Sequence, residues 1–157
     1  MTHPHATLVN AFYAAFQRRD AGAMAACYHP EVTFRDAVFD LRGDEARLMW
    51  RMLCERGADL RVEFRDVSAD DATGRAHWDA YYTFSVTGRR VHNSIDATFR
   101  FRDGKIAEHV DTFGFHRWAR QALGPAGLLL GWTPFFRNVV RRNALKGLRA
   151  YAVKQAA

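Results

Sequence analysis

Acidic residues stop early in this chain. Of 157 residues, 17 are Asp or Glu, and all of them lie between Asp20 and Asp111. The 46 residues that follow carry eight Lys or Arg and no acid, a formal +8, while the first 111 carry 15 − 17 = −2. The overall +6 belongs to the tail, so the high pI is no reason to assign nucleic-acid binding to the body. Cysteine is also scarce. Cys27 and Cys54, the only two, fall in helical patterns and read as buried thiols of a reducing cytoplasm. No CxxC or HExxH spacing occurs, and no metal site is expected. The longest apolar run, GLLLGWTPFF (residues 127–136), is half the length of roughly 20 residues that a spanning helix needs. The opening MTHPHATLVN has no basic region followed by an apolar core, so it does not read as a signal peptide. With 48% apolar and 25% charged residues, the composition predicts one packed domain and a cytoplasmic protein.

What is present is a change of period. Leu8, Val9, Phe12 and Phe16 recur at helical spacing over residues 5–19, a short helix follows over 22–28, and a third runs over 44–56 to Gly57. EVTFRDAVF, residues 31–39, alternates as a strand between the second and third helices. From Leu60 the period becomes two. Strands are predicted over 60–68, 73–87, 90–102 and 105–113, with Gly88-Arg89 and Asp103-Gly104 as hairpin signals. Helices first and an antiparallel meander afterwards means an α+β fold.

The apolar faces carry polar intruders. Asp36 sits in the set Val32, Phe34, Asp36, Val38, and Asn93 sits among Val91, Ile95, Ala97 and Phe99. His109 and Asp111 share alternate positions with Phe113 and Phe115 in GKIAEHVDTFGF. An unpaired buried charge costs several kcal/mol, so these groups either border a cavity or satisfy one another. The opposite face of the paired strands holds His77, Asp79, Tyr81 and Asp96, and His3, His5 and His29 read as solvent-facing.

The order of these segments resembles the nuclear transport factor 2-like superfamily, which includes ketosteroid isomerases, SnoaL-like polyketide cyclases and limonene epoxide hydrolases. The resemblance covers about residues 6–116, with landmarks LVNAFYAAFQRRDAGAMAACYHPEVTFRDAVF and FRFRDGKIAEHVDTF. It implies a cone: a strongly bent antiparallel sheet wrapped around three helices, with an apolar pocket open at one end. It also implies Phe12, Phe34, Trp78, Tyr82, Phe84, Asn93, Phe99 and Phe113 as pocket lining, a small apolar ligand, and a homodimer through the outer sheet face. The isomerase base maps to Asp36. The isomerase oxyanion donors map to Phe12 and Ala97, neither of which can donate, with Asp96 next to Ala97 on the other face. The hydrolase Arg-x-Asp pair maps to Asn93-Ser94-Ile95. The acid/base of the cyclases, on the last strand, maps to Asp111 or His109. The resemblance thus points to a cofactor-free cyclase or isomerase with Asp36, His109 and Asp111 as catalytic candidates. Tyr13, Tyr82 and His116 are candidates for further donors. A non-catalytic binding or interaction module of the same fold stands as the alternative.

Residues 117–157 exceed what the resemblance covers and form a basic helical extension of the domain at 1–116. A helix over 115–123 ends at Gly124-Pro125, and Thr133-Pro134 opens another that runs to about Lys154. Phe136, Val139, Val140, Ala144, Leu148 and Ala152 form its apolar stripe. Two placements are open: packing on the cone or a partner, or a peripheral anchor on an anionic membrane with GLLLGW and Phe135-Phe136 inserted; a lid over the pocket mouth fits either.

Overall fold

The structure, a computed structural model, describes residues 2–156. Three helices come first: α1 (Pro4–Gln17), α2 (Ala21–Ala26) and, after two short strands, α3 (Asp44–Arg56). The strands are β1 (Tyr28–Arg35), β2 (Asp40–Arg42), β3 (Arg61–Ala69), β4 (Thr73–Phe84), β5 (Arg89–Arg102) and β6 (Lys105–Thr112). They form one sheet in the order β2-β1-β6-β5-β4-β3. All pairs are antiparallel except β1 with β6, which run parallel. The inner face of the sheet closes on α1 and α3 through Val9, Phe12, Phe16, Met49 and Trp50 from the helices and Phe34, Trp78 and Phe99 from the strands. This is the α+β class expected from the period change, in the cone arrangement that the resemblance implies.

Two local features depart from the expected pattern. The stretch 31–39 is not one strand. Asp36 turns the chain: its Oδ1 accepts from the backbone N–H of Val38 at 2.7 Å and of Phe39 at 2.6 Å, so the strand stops at Arg35 and restarts at Asp40. An Asp side chain that satisfies two backbone donors competes with the ladder, and here it wins. The second helix also ends earlier, at Ala26, and His29-Pro30 lies inside β1. Proline is tolerated there because the pairing of β1 with β6 is irregular between Tyr28 and Thr33. His29 is buried rather than solvent-facing, held by the Arg102 guanidinium at 3.2 and 3.3 Å and by Asp103 at 3.3 Å.

Beyond the sheet come α4 (Phe115–Leu123), α5 (Pro125–Leu130) and α6 (Pro134–Ala156). The Thr133 hydroxyl caps α6 by accepting from Phe136 N–H at 3.2 Å. Helix α6 lies along the cone. Its far half is fixed by Leu148, 1% exposed, and by a Tyr151 hydroxyl bond to Glu55. Nearer its start, Arg141 Nε donates to the Ala37 carbonyl at 2.7 Å. Phe136, Val140 and Leu148 of the expected stripe face inward, joined by Leu145 and Tyr151.

Candidate functional site

Strand β6 places His109 and Asp111 on the inner face because they are two residues apart. The register sets Phe34 and Phe99 on either side of His109, and Ala97 beside Asp111. His109 is 0% exposed. Aromatic rings enclose it: Phe99 at 4.5 Å between centroids, Phe34 edge-on at 5.0 Å, Phe12 at 5.6 Å and Trp50 stacked at 5.8 Å. Both ring nitrogens are engaged. Nε2 lies 2.8 Å from Asp111 Oδ1, and Nδ1 lies 2.8 Å from the Tyr28 hydroxyl, which in turn accepts from Trp50 Nε1 at 2.8 Å. Trp78 Nε1 donates to the same Asp111 oxygen at 3.4 Å. The result is a continuous buried chain: Trp50, Tyr28, His109, Asp111, Trp78. Asp111 Oδ1 takes both of these bonds, and no side-chain donor meets Oδ2 among the described residues.

Asp36 stands one step past Arg35, which pairs with Val110, so the parallel register brings it level with Asp111. Burial raises its pKa to about 6. The backbone donors of Phe39 and Val38 pull the other way, Asp111 raises it and His109 lowers it. Its carboxyl is thus both a turn cap and a neighbour of the buried pair. Tyr13, on α1, packs against Phe64, Trp78 and Phe99, and its hydroxyl is buried with no hydrogen-bond partner. Burial, and then the charge of Asp111, hold the Tyr13 pKa well above that of a free tyrosine.

Of the eight expected lining residues, Phe12, Phe34, Trp78 and Phe99 form the closed floor around His109. Tyr82, Phe84, Asn93 and Phe113 are half-buried nearer the open end of the sheet. That end is covered. Phe115, Trp118, Ala119 and Ala122 of α4 pack with Val91, and Ala37, Val38, Tyr82, Phe84, Phe113, Phe136 and Val140 close around them. Trp118 Nε1 donates to the Tyr82 hydroxyl at 2.8 Å. His116 does not reach the cone; it stacks on Trp132 at 3.9 Å. Among the described residues, no group of three His, Cys, Asp or Glu side chains has metal-binding geometry.

Tyr28 and Trp50 are the members of the chain that sequence reasoning passed over. Tyr28 adjoins His29-Pro30, which reads as a helix end, so its strand parity was hidden. Trp50 shares helical spacing with Ala46, Met49 and Cys54, which reads as ordinary core.

A profile described as the SnoaL-like domain matches residues 9–109, about two thirds of the chain. The chain belongs to the SnoaL-like domain family. No curated protein matches it. Among solved structures, this SnoaL-like chain is similar to a nuclear transport factor 2-like protein of unknown function from Burkholderia pseudomallei. That match has a TM-score of 0.67 at 20% identity and covers 76% of this chain and 98% of the other. A candidate polyketide cyclase from Xanthomonas campestris pv. campestris matches at 26% identity with TM-score 0.59, covering 74% and 95%. An epoxide hydrolase of the LEH-like type from M. tuberculosis matches at 20% with TM-score 0.62, covering 82% and 97%. The SnoaL-like match ends at His109, so α4 to α6 lie outside it.

Proposed function

We infer that this SnoaL-like protein performs cofactor-free acid–base chemistry, of the cyclase or isomerase kind, on a small apolar carbonyl compound held above His109. One observation carries the reading: the buried carboxylate of Asp111, oriented by His109, and the Tyr13 hydroxyl, buried without a partner, are joined through Trp78, which bonds Asp111 and packs on the Tyr13 ring. Buried polar groups are nearly always satisfied, and an orphan hydroxyl in the core that also holds an oriented carboxylate marks a place for a polar ligand atom.

The chemistry follows from these groups. The Tyr13 O–H donates to the carbonyl oxygen. A carboxylate takes a proton from the adjacent carbon; the C–H electron pair forms the enolate double bond and the carbonyl electrons move to oxygen. In a β,γ-unsaturated ketone the enolate is a dienolate, and return of the proton to its γ-carbon completes isomerisation; attack of an enolate on a second carbonyl carbon moves that carbonyl's π pair to its oxygen, which takes the proton back from the carboxylic acid and completes cyclisation. Asp36, with a pKa of about 6, is the base best poised near neutral pH. Tyr13 supplies the donor that Phe12 lacks. Each such group is worth about 10²- to 10⁴-fold in rate. Admission of substrate requires α4 and α6 to move off the mouth, a motion of the microsecond-to-millisecond kind. The candidate cyclase from Xanthomonas, at 26% identity, supports this class.

A binding module without turnover is the second reading. It is favoured by the hydrogen bonds that occupy both His109 nitrogens and by the close aromatic shell around that ring.

Proton NMR in D2O separates the two. A panel of apolar ketones is incubated with the protein, and loss of the α-proton signal is followed. Acid–base chemistry predicts exchange that drops at least 100-fold in Asp36→Asn or Asp111→Asn, and less steeply in Tyr13→Phe. Ligands that bind without exchange, with the same variants changing affinity only, establish the binding module instead. No binding by any ketone rejects both.

A further inference from the structure

The segment between α4 and α6 has a geometry that the cone does not require. A Cβ on Gly127 would lie 1.9 Å from the Ala119 carbonyl oxygen, and one on Gly131 would lie 2.9 Å from the His116 ring. These two glycines, four apart, press the segment against α4. The intervening leucines have nowhere to go but outward: Leu128 is 48% exposed, Leu129 75% and Leu130 48%. Trp132 and Phe135, each 74% exposed, continue the patch. His116 holds Trp132 by stacking at 3.9 Å and reaches the Leu128 carbonyl at 3.2 Å, so the outward tryptophan is braced rather than loose.

Basic groups adjoin this patch. A cleft of about 300 Å³ is lined by Trp132, Pro134, Arg137, Asn138 and Arg141. Arg137 stacks its guanidinium over Phe115 at 4.9 Å, and Arg141 spends its Nε on the Ala37 carbonyl. Among the described residues, no salt bridge engages any Lys or Arg after Arg102. An exposed apolar turn beside unpaired arginines matches the two layers of an anionic bilayer surface, apolar chains below and phosphates above. No helix here is long and apolar enough to cross a membrane, so the contact is peripheral.

We propose that residues 128–135 are an interfacial anchor. Leu128, Leu129, Leu130, Trp132 and Phe135 enter the acyl boundary of an anionic membrane, and the cleft between Trp132 and Arg141 receives a lipid phosphate. This holds whatever chemistry occurs at Asp111.

Sedimentation of the full chain with phosphatidylcholine vesicles, with and without about one third phosphatidylglycerol, tests it. Binding is expected to the anionic vesicles at low salt and to weaken as NaCl rises. Trp50, Trp78 and Trp118 are buried, so a blue shift of tryptophan emission on binding reports Trp132 and vanishes in Trp132→Phe. Leu129→Asp weakens binding roughly tenfold or more. Arg137→Gln weakens it roughly fivefold. Circular dichroism melts confirm that each variant is folded. Three results overturn the proposal: no sedimentation with anionic vesicles at low salt, binding indifferent to Leu129→Asp, or light scattering that shows a dimer lost in Leu129→Asp, which would make a second copy the occupant.

Discussion

Tyr28 accepts from Trp50 and meets His109 Nδ1, so its single hydroxyl satisfies two buried groups. Tyr28→Phe strands both, and an unsatisfied buried donor or acceptor costs about 1–3 kcal/mol, so urea unfolding is expected to show a loss of about 2–4 kcal/mol. Asp36 behaves differently because its ionisation is what costs. Its pKa is about 6 in the fold against 3.8 for the free side chain, so between those values the native state holds more protons than the unfolded chain. Its favourable contribution is complete below about pH 4 and is lost as pH rises through 6. Asp36→Asn keeps the acceptor for Val38 and Phe39 but removes the titration. The stability of wild type relative to this variant is expected to fall by about 1–3 kcal/mol from pH 4 to pH 7, read from urea midpoints at each pH. Of these residues, Asp36, His109 and Asp111 were visible in the sequence as polar intruders at alternate positions. Tyr13 stood out only as one of several candidate donors and Tyr28 not at all, because a tyrosine on an apolar face looks like core until its hydroxyl is traced to a partner or to none.

Helices and strands followed their periods closely where alternation was long. Both hairpins form, but the first turns over residues 85–88, with Phe84 paired to Arg89, rather than at Gly88-Arg89; in the second, Asp103-Gly104 takes positive φ at both positions, 54° and 71°, as a two-residue turn demands. The failure at 31–39 came from one side chain: alternation continues through Asp36, but its carboxylate bonds its own backbone. Helix α5 was hidden because Gly124-Pro125 reads as a stop, while the same proline opens a new helix at its first turn. Gly127→Ala is expected to push α5 off α4, since no Cβ fits 1.9 Å from a backbone oxygen; faster amide exchange over residues 125–133 checks it. For α6, Leu148→Ala is expected to cost about 2–5 kcal/mol, because a leucine at 1% exposure leaves a cavity against α3 and the sheet; thermal or urea unfolding measures it.

The cone and its tail are joined at the mouth. Trp118 and Phe115 fill the space between the ends of the strands, and α6 passes over Ala37. Trp118→Ala removes both the largest plug and the bond to Tyr82, which exposes Phe84, Val91 and Phe113. The variant is expected to bind more of an apolar fluorescent dye than the wild type does; equal dye binding by both would mean that the mouth is already open. The α+β class, the strand meander, the inward His109 and Asp111 and the uneven charge are all legible in the chain, because alternation, helical spacing and turn residues act over a few neighbours. The meeting of Tyr28 with His109 across 81 residues, of Trp118 with Tyr82 across 36, and of Arg141 with Ala37 across 104 belongs to the tertiary structure alone. Closing loops of that length carries an entropic cost that only collective packing repays, and no local pattern records which distant surfaces pack together.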